Sequence, residues 1–270
     1  MGISKNSIML GATARVLLAS AVCVSAITIA HAGEADAKKM LKAMSDYMAS
    51  EKAISFNFDA GLEVVTKDDQ KLALLSSGSV VLNRPDKVRV TRAGGFAGIE
   101  LMSDGKTVTL FGKNTNIYVQ ADAPGTVDQL VNDLQEKFKR PLPAADLLLT
   151  NSYDELMSDV TDVKDLGSGV IGGVECDHLA FRKKDVDFQI WVAQGSKPYP
   201  CRFSITSRTV SGSPQYSIQL RDWKTGGEVA SADFTFKNAS NANKVEVKDV
   251  RDKFSDLPSN FTMGTIGAAK

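Results

Sequence analysis

The feature that most constrains this chain is a pair of long alternating stretches. From Ile54 to Val65, the residues Ile54, Phe56, Phe58, Ala60, Leu62 and Val64 alternate with Ser, Asn, Asp, Gly and Glu, the period of a strand with one buried face. Its twelve residues exceed the usual strand length. Lys67-Asp68-Asp69-Gln70 reads as a turn, and Lys71–Leu82 returns as a second long strand. Two such strands, joined locally, commit the chain to a large antiparallel sheet with an apolar face that other elements must cover.

The remaining segments fit that commitment. Ala35–Ser50 places Met40, Leu41, Met44, Tyr47 and Met48 at helical spacing and predicts a first amphipathic helix. Pro85, in Asn83-Arg84-Pro85-Asp86, ends the second strand. Val88 and Val90 then alternate with Arg89 and Thr91, and Asp104-Gly105 between Ile99–Ser103 and Lys106–Phe111 is a strong hairpin signal. Asn116–Gln120 is a further short strand. Helical spacing resumes at Val127, Leu130, Val131, Leu134 and Phe138 behind a Thr126 N-cap, continues in Ala144–Leu149 after Pro141 and Pro143, and ends in Ser152–Val160, where Ser152 and Glu155 have capping-box spacing. From Val170 the pattern is again β: Cys176–Arg182, Asp187–Ala193, Cys201–Ser207, Gln215–Trp223 with Tyr216, Ile218 and Leu220 on one face, and Ala230–Lys237 after Gly226-Gly227. Beyond Asn238 the chain is polar, with Val245, Val247 and Val250 as one weak edge element and Lys253–Lys270 expected to be loosely held. No repeat or linker divides the chain. The expected fold is α+β: a strongly curved antiparallel half-barrel of about ten strands, with an N-terminal helix and inserted helices covering the concave face. So large a sheet with so few helices leaves an apolar cavity.

The N-terminus reads as an export signal. Lys5 and Arg15 are followed by the apolar run Val16–Ala30 and by Ala30-His31-Ala32, a small-x-small site that places cleavage after Ala32. The run is shorter than the ~20 residues a spanning helix needs. It has no twin arginine, and Cys23 lacks the upstream leucine of a lipidation site, so a Sec-type signal and a periplasmic product are expected. Loss of Lys5 and Arg15 leaves 30 basic against 32 acidic residues, a net charge of −2 over 238 residues. That balance carries no basic excess for nucleic acid and no polybasic membrane patch. No apolar run in residues 33–270 is long enough for a transmembrane anchor.

Chemistry-bearing residues concentrate in Gly173–Ile205, which holds the only histidine (His178) and the only two cysteines (Cys176, Cys201) of the segment after Ala32. One histidine is too few for a supported zinc site: His178 with Cys176, Cys201 and Asp177 or Asp187 has no CxxC or HxxxH spacing. Gly167-Ser168-Gly169 is not a nucleophile elbow, and no P-loop or dinucleotide fingerprint is present. Asp68-Asp69 and Asp185/Asp187 are charged turns. Neither an enzyme activity nor a cofactor or metal is expected. In an oxidising compartment Cys176 and Cys201 are a disulfide candidate, with two separate thiols as the alternative. Both begin strands, and if these flank a third strand the cysteines are too far apart unless Cys201 lies in the preceding loop, curled over the middle strand.

Gly78-Ser-Val-Val-Leu-Asn-Arg-Pro-Asp-Lys-Val-Arg89, Asp104-Gly-Lys-Thr-Val-Thr-Leu-Phe111, Asn116-Ile-Tyr118, Ala123-Pro-Gly-Thr126, Ala145-Asp-Leu-Leu148, Cys176-Asp-His-Leu-Ala-Phe-Arg182 and Phe188-Gln-Ile-Trp-Val192 with Pro198 together resemble a family of predicted periplasmic proteins, the domain of unknown function numbered 2092. The resemblance runs from about Ala35 to Phe236 and extends to the LolA/LolB and LppX-like group. It implies a half-barrel with a helical lid that holds a lipid or acyl chain, and it implies no catalytic residues. The tail after Phe236 is longer and more polar than the resemblance leads one to expect, and no lipobox cysteine begins the mature chain. The reading is therefore a periplasmic binding protein for a lipid, an acyl chain or a lipoprotein anchor. The second reading is an envelope scaffold with a protein partner and no lipid. Phe56, Phe58, Leu62, Val88, Val90, Leu101, Phe181, Trp191 and Phe203 are the expected cavity residues, with Trp223 a further aromatic candidate.

Overall fold

The computed structural model of the chain describes residues 33–95, 97–122, 125–136 and 144–254. The expected signal segment, the helix end at Phe138 and the tail from residue 255 lie outside the described residues. Helix α1 (Glu34–Ser50) leads into β1 (Ala53–Val65), β2 (Lys71–Asn83), β3 (Lys87–Gly94), β4 (Gly98–Asp104), β5 (Thr107–Gly112) and β6 (Ile117–Asp122). Helix α2 (Val127–Glu136), a 3₁₀ turn (Ala145–Leu148) and α3 (Ser152–Met157) follow. Then come β7 (Asp162–Ile171), β8 (Val174–Arg182), β9 (Val186–Ala193), β10 (Pro200–Ser207), β11 (Gln215–Thr225), a helical turn α4 (Gly227–Ala230), β12 (Asn243–Lys244) and, past a second 3₁₀ turn (Val247–Asp249), α5 (Val250–Lys253).

The strands form one curved, open sheet of twelve, ordered β12-β6-β5-β4-β3-β2-β1-β11-β10-β9-β8-β7, against about ten expected. Pairing is antiparallel except at the β12–β6 edge, which is parallel. β1 and β2 pair along their whole length, from Ala53↔Asn83 to Val65↔Lys71. Their turn closes through Thr66, whose hydroxyl accepts the Gln70 N–H at 3.0 Å, with Asp69 at positive φ. The β4–β5 hairpin turns at Gly105 (φ +89°), where a Cβ would stand 2.2 Å from the Asp86 carboxylate. The Asp104 carboxylate accepts the N–H groups of Lys106 and Thr107, each at 2.9 Å, and these bonds hold it below the ordinary carboxylate range.

The inner face of β8–β10 is packed solid. Ala37, Leu41, Met44 and Met48 of α1 share one core with Leu179, Phe181, Phe188, Ile190 and Phe203. The Phe181 and Phe188 rings stack at 4.7 Å, and Phe188 meets Phe203 at 5.8 Å. Buried Ser45 and Ser152 join α1 to α3 through hydroxyls 2.7 Å apart, and Ser45 also accepts the Tyr153 N–H at 2.9 Å. Ser152 is thus taken up by the core and caps nothing. Asn151 occupies the N-cap position, and its amide donates to Glu155 at 3.0 Å in place of the expected capping box.

Two further expectations are corrected. β7 was not anticipated before Val170, because an edge strand that buries Val163 but exposes Leu166 and Val170 shows no clean alternation. Ala230–Lys237, which alternates cleanly, is not a strand. Both neighbours of β11 are already β1 and β10, so no free edge is available to it. It instead crosses the outer face: Ala230 O accepts from Asn83 (3.4 Å), Asp233 O from Arg89 (3.1 Å), and the Phe236 ring lies on Phe111 and Tyr118 (5.7 and 4.8 Å). Beneath it Glu100 is buried, bound by Arg89 at 2.6 Å and Lys113 at 3.3 Å. β12 then turns the chain over the β6 edge.

Candidate functional site: an apolar cavity

The other half of the inner face is not filled by the described residues. Alternate positions of β1 (Phe56, Phe58, Ala60, Leu62), β2 (Leu74, Ser76, Val80), β3 (Val88, Val90, Arg92), β4 (Ile99, Leu101), β5 (Val108, Leu110), β6 (Val119, Ala121) and β11 (Tyr216, Ile218, Leu220) line a cavity of about 510 Å³. The period-two rule puts them together: every one of these positions has the parity that faces inward. The opposite wall comes from α2 (Val127, Leu130, Val131, Leu134), from Ala144, Ala145, Leu147 and Leu148 around the first 3₁₀ turn, and from Val247, Val250 and Phe254 at the end of the described chain. Thr126 fixes the start of α2 by accepting the Gln129 N–H at 3.2 Å.

Three local devices shape the wall. At Gly78 a Cβ would lie 2.0 Å from Thr91 O and 2.5 Å from the Phe58 ring, so glycine lets Phe58 lie against β2. A bulge between β1 and β11, with Asp222 at positive φ, turns Trp223 inward. The Trp223 ring stacks on Phe56 at 5.6 Å and on Tyr199 at 4.9 Å, and its N–H donates to the Tyr47 hydroxyl at 3.3 Å. Arg84, in the β2–β3 turn, reaches under the helices. It donates to Leu148 O at 2.7 Å and pairs with Asp128 of α2 at 3.5 Å, while Pro85 O accepts the Val127 N–H at 2.8 Å.

The lining is almost wholly hydrocarbon. Among the described residues Arg92 is its one charged member, with Ser76 and the Tyr216 hydroxyl as the other polar side chains. Burial pushes Tyr216 up to about 12, the Arg92 charge pulling the other way. Tyr216 is therefore a protonated donor at neutral pH. Along the inward positions of β1 exposure rises from Ile54 (0 %) through Ala60 (8 %) to Leu62 (36 %). The cavity thus opens near Leu62, with Val64 beyond it buried again.

Six of the nine anticipated residues, Phe56, Phe58, Leu62, Val88, Val90 and Leu101, line this cavity. Phe181 and Phe203 do not; they belong to the solid core beneath α1. Trp191 does not either. It lies on the outer face, where its ring stacks on His178 at 4.1 Å and carries the Arg202 guanidinium 5.8 Å from its centroid. The His178 imidazole is also hydrogen-bonded to Gln189 at 2.9 Å, and no group of three or more His, Cys, Asp or Glu side chains able to hold a metal occurs among the described residues. Arg92, Tyr216 and Val247–Phe254 are not among the residues expected at the cavity, whereas α2 falls on the helical spacing read from Val127 to Leu134. For Arg92 a signal existed: it continues the inward parity of Val88 and Val90 with a charge.

Cys176 and Cys201 sit side by side on the outer face, both buried, their sulfurs 2.7 Å apart. The expected loop is not the reason. Cys201 lies within β10, at a bulge between Pro200 and Arg202 opposite β9, and the bulge brings it over β9 to Cys176. Burial raises both thiols, so neither is an activated nucleophile.

No curated protein matches the chain. Solved structures of similar fold include lipoprotein LppX of Mycobacterium tuberculosis (12 % identical, 73 % of this chain and 100 % of that one, TM-score 0.37). LprF from Mycobacterium bovis is 10 % identical over 75 % of this chain and 97 % of that one, with a TM-score of 0.45. The MucA/MucB complex of Pseudomonas aeruginosa matches at 14 % identity over 78 % and 64 %, with a TM-score of 0.43. Likeness at this level places no ligand on this chain. The family assignment rests on sequence: residues 37–248 match the family model "Predicted periplasmic protein (DUF2092)", and the chain belongs to that family.

Proposed function

We propose that this protein is a non-enzymatic periplasmic binding protein that takes one acyl chain into the cavity between β1–β6, β11 and the helices. The observation that carries this reading is the cavity itself: about 510 Å³ lined almost entirely by Val, Leu, Ile, Ala and Phe side chains. Packed cores leave few voids larger than a water molecule, and apolar pockets of this size bind apolar ligands. At roughly 30 Å³ per methylene, the share of a water molecule in the liquid, the volume takes about 17 methylenes: one long chain, not two. In this reading α2 and the 3₁₀ turn form a cover over the concave face, latched through Arg84, and the signal segment delivers the chain to the periplasm that the family description names. Native mass spectrometry of protein purified from periplasm, with lipid extraction, tests it. A bound species of one-chain mass supports the reading; protein that is ligand-free and takes up no long-chain amphiphile refutes it.

A second reading, an envelope scaffold, is favoured by one observation. Edge strand β7 exposes Leu166 (49 %) and Val170 (65 %) beside unpaired backbone, a template for strand addition. Crosslinking in cells that recovers one stoichiometric partner through β7, with no lipid, would favour it.

A further inference from the structure

The outer face of the sheet carries a groove of its own, on the side away from the cavity. Direct cross-strand pairs run His178–Trp191–Arg202–Gln219–Asp59–Ser77 across β8, β9, β10, β11, β1 and β2, one polar or aromatic side chain per strand at the outward parity. Beside that row runs another of smaller side chains, Ser204, Ser217 and Gly61, which ends at Leu75. The step from long to short side chains makes a hollow: Arg202, Gln219, Ser217, Asp59, Gly61 and Ser77 bound a groove of about 490 Å³. From Arg202 on β10 to Ala93 on β3 it crosses about 19 Å, four strand spacings of ~4.8 Å. Asp59 is occupied there, accepting from the Ser77 hydroxyl and from Arg221 at 3.0 Å. Arg202 has no acidic partner among the described residues. Its guanidinium lies over the Trp191 ring, 5.8 Å from the centroid, and His178 stacks on that ring at 4.1 Å. The ring holds the guanidinium in place and leaves its N–H edge unpaired. Ser204 is 3 % exposed, and its hydroxyl has no hydrogen-bond partner among the described residues. It is not among their sealed, unpartnered side-chain atoms, which comprise Arg84 Nε alone, so this hydroxyl opens on the groove. Buried polar groups in folded proteins have partners, and here the groove must supply one.

We propose that this groove binds an acidic oligosaccharide, with the carboxylate of one sugar unit on Arg202 and sugar hydroxyls on Gln219, Ser217, Ser204 and the Asp59 carboxylate. The proposal stands independently of the acyl-chain reading, on the opposite face of the sheet. A guanidinium fork matches the two oxygens of a planar carboxylate. Sugar hydroxyls both donate and accept, and they suit a row that sets amide, hydroxyl and carboxylate groups one per strand. The groove is far larger than one carboxylate needs, so the anion is part of an extended ligand. Strands β10, β11, β1 and β2 are paired on both sides, so a peptide finds no free edge to extend. One uncompensated cation is too little for a nucleic-acid backbone.

The test is calorimetric titration of the purified chain with tri-galacturonate, its methyl triester, which keeps the hydroxyls and loses the charge, and monomeric galacturonate. Tri-galacturonate is expected to bind at least tenfold more tightly than the triester, the size of a charge-assisted hydrogen bond, and more tightly than the monomer. Arg202→Gln should bring tri-galacturonate to the triester level while leaving the triester unchanged. Ser217→Leu, which fills the floor of the groove, should weaken both trimers at least tenfold. Thermal melts matching that of the wild type show that each variant folds, and unchanged triester binding by Arg202→Gln is a second control. Equal affinity for acid and triester overturns the carboxylate contact. Monomer that binds as tightly as trimer overturns the extended groove and leaves an anion site only. Trimer binding that survives Ser217→Leu places the saccharide elsewhere, and no binding of any of the three overturns the proposal outright. None of these outcomes bears on the cavity, so the acyl-chain reading stands or falls separately.

Discussion

Leu101→Trp should shorten the longest chain this protein holds. Leu101 points inward from the middle of β4, paired with Leu110 of β5 and Val90 of β3, and its side chain borders empty space instead of packed core. An indole in place of isobutyl removes roughly 60 Å³ from the cavity of about 510 Å³, or about two methylenes at ~30 Å³ each. Each methylene left in water costs about 0.8 kcal/mol, so a chain that filled the wild-type cavity loses about 1.6 kcal/mol, roughly fifteenfold in affinity. A chain four or more carbons shorter should lose nothing. The assay is probe displacement by saturated amphiphiles from C10 to C18 on wild type and variant, with thermal melts to show that the variant folds. The preferred length should move down by about two carbons, C16 and C18 weakening while C12 is unchanged. Uniform weakening at every length, or no change at C16, would refute the placement of the chain against β4.

Three further outcomes follow from the same structure. Oxidation of Cys176 and Cys201 closes an interval of 25 residues, worth about 3.5 kcal/mol on chain entropy and on the order of 10 °C in Tm for a chain this size. The Cys176→Ser/Cys201→Ser variant should melt that much lower than periplasmic protein, and denatured, unreduced protein should carry no free thiol; two titratable thiols would contradict the bridge. Gly78→Ala forces a Cβ against the Thr91 carbonyl, which is backbone and cannot swing aside. It should cost about 1–3 kcal/mol, read by urea melts, and a neutral result would show that Phe58 does not lie as described. Arg84→Met keeps the aliphatic stem but frees Leu148 O and Asp128 and should destabilise by about 3 kcal/mol. Amide exchange should quicken in Val127–Glu136 and Ala145–Leu148 before α1 responds; equal quickening across the chain would deny Arg84 its role as a latch.

Much of this architecture was legible because period-two alternation and local turns are short-range signals. Ile54–Val65 and Asp104-Gly105 each carry their structure within a few residues, and Phe56, Phe58, Leu62, Val88, Val90 and Leu101 follow from inward parity alone. Which half of an inward face is covered solidly and which is left open depends on where a helix lands, and alternation holds no record of that. Phe181 and Phe203 have the correct parity but lie under α1; Trp191 has the opposite parity in β9 from buried Phe188, Ile190 and Val192, a pattern visible in the sequence itself. The outer strap formed by Ala230–Lys237 shows the converse: alternation needs a free edge before it becomes a strand, and edges are set by the whole sheet. Bulges at Asp222 and Cys201 redirect Trp223 and Cys201 through single residues that no period reveals.

The most direct test of the acyl-chain reading is the mass of what the protein carries out of the cell. Protein isolated gently from periplasm and sprayed under native conditions should show a population heavier by one long-chain species, released on denaturation and recovered by organic extraction. Stripped protein should take up one such chain and no second. A single unliganded mass, with no uptake across the C10–C18 series, would contradict the account.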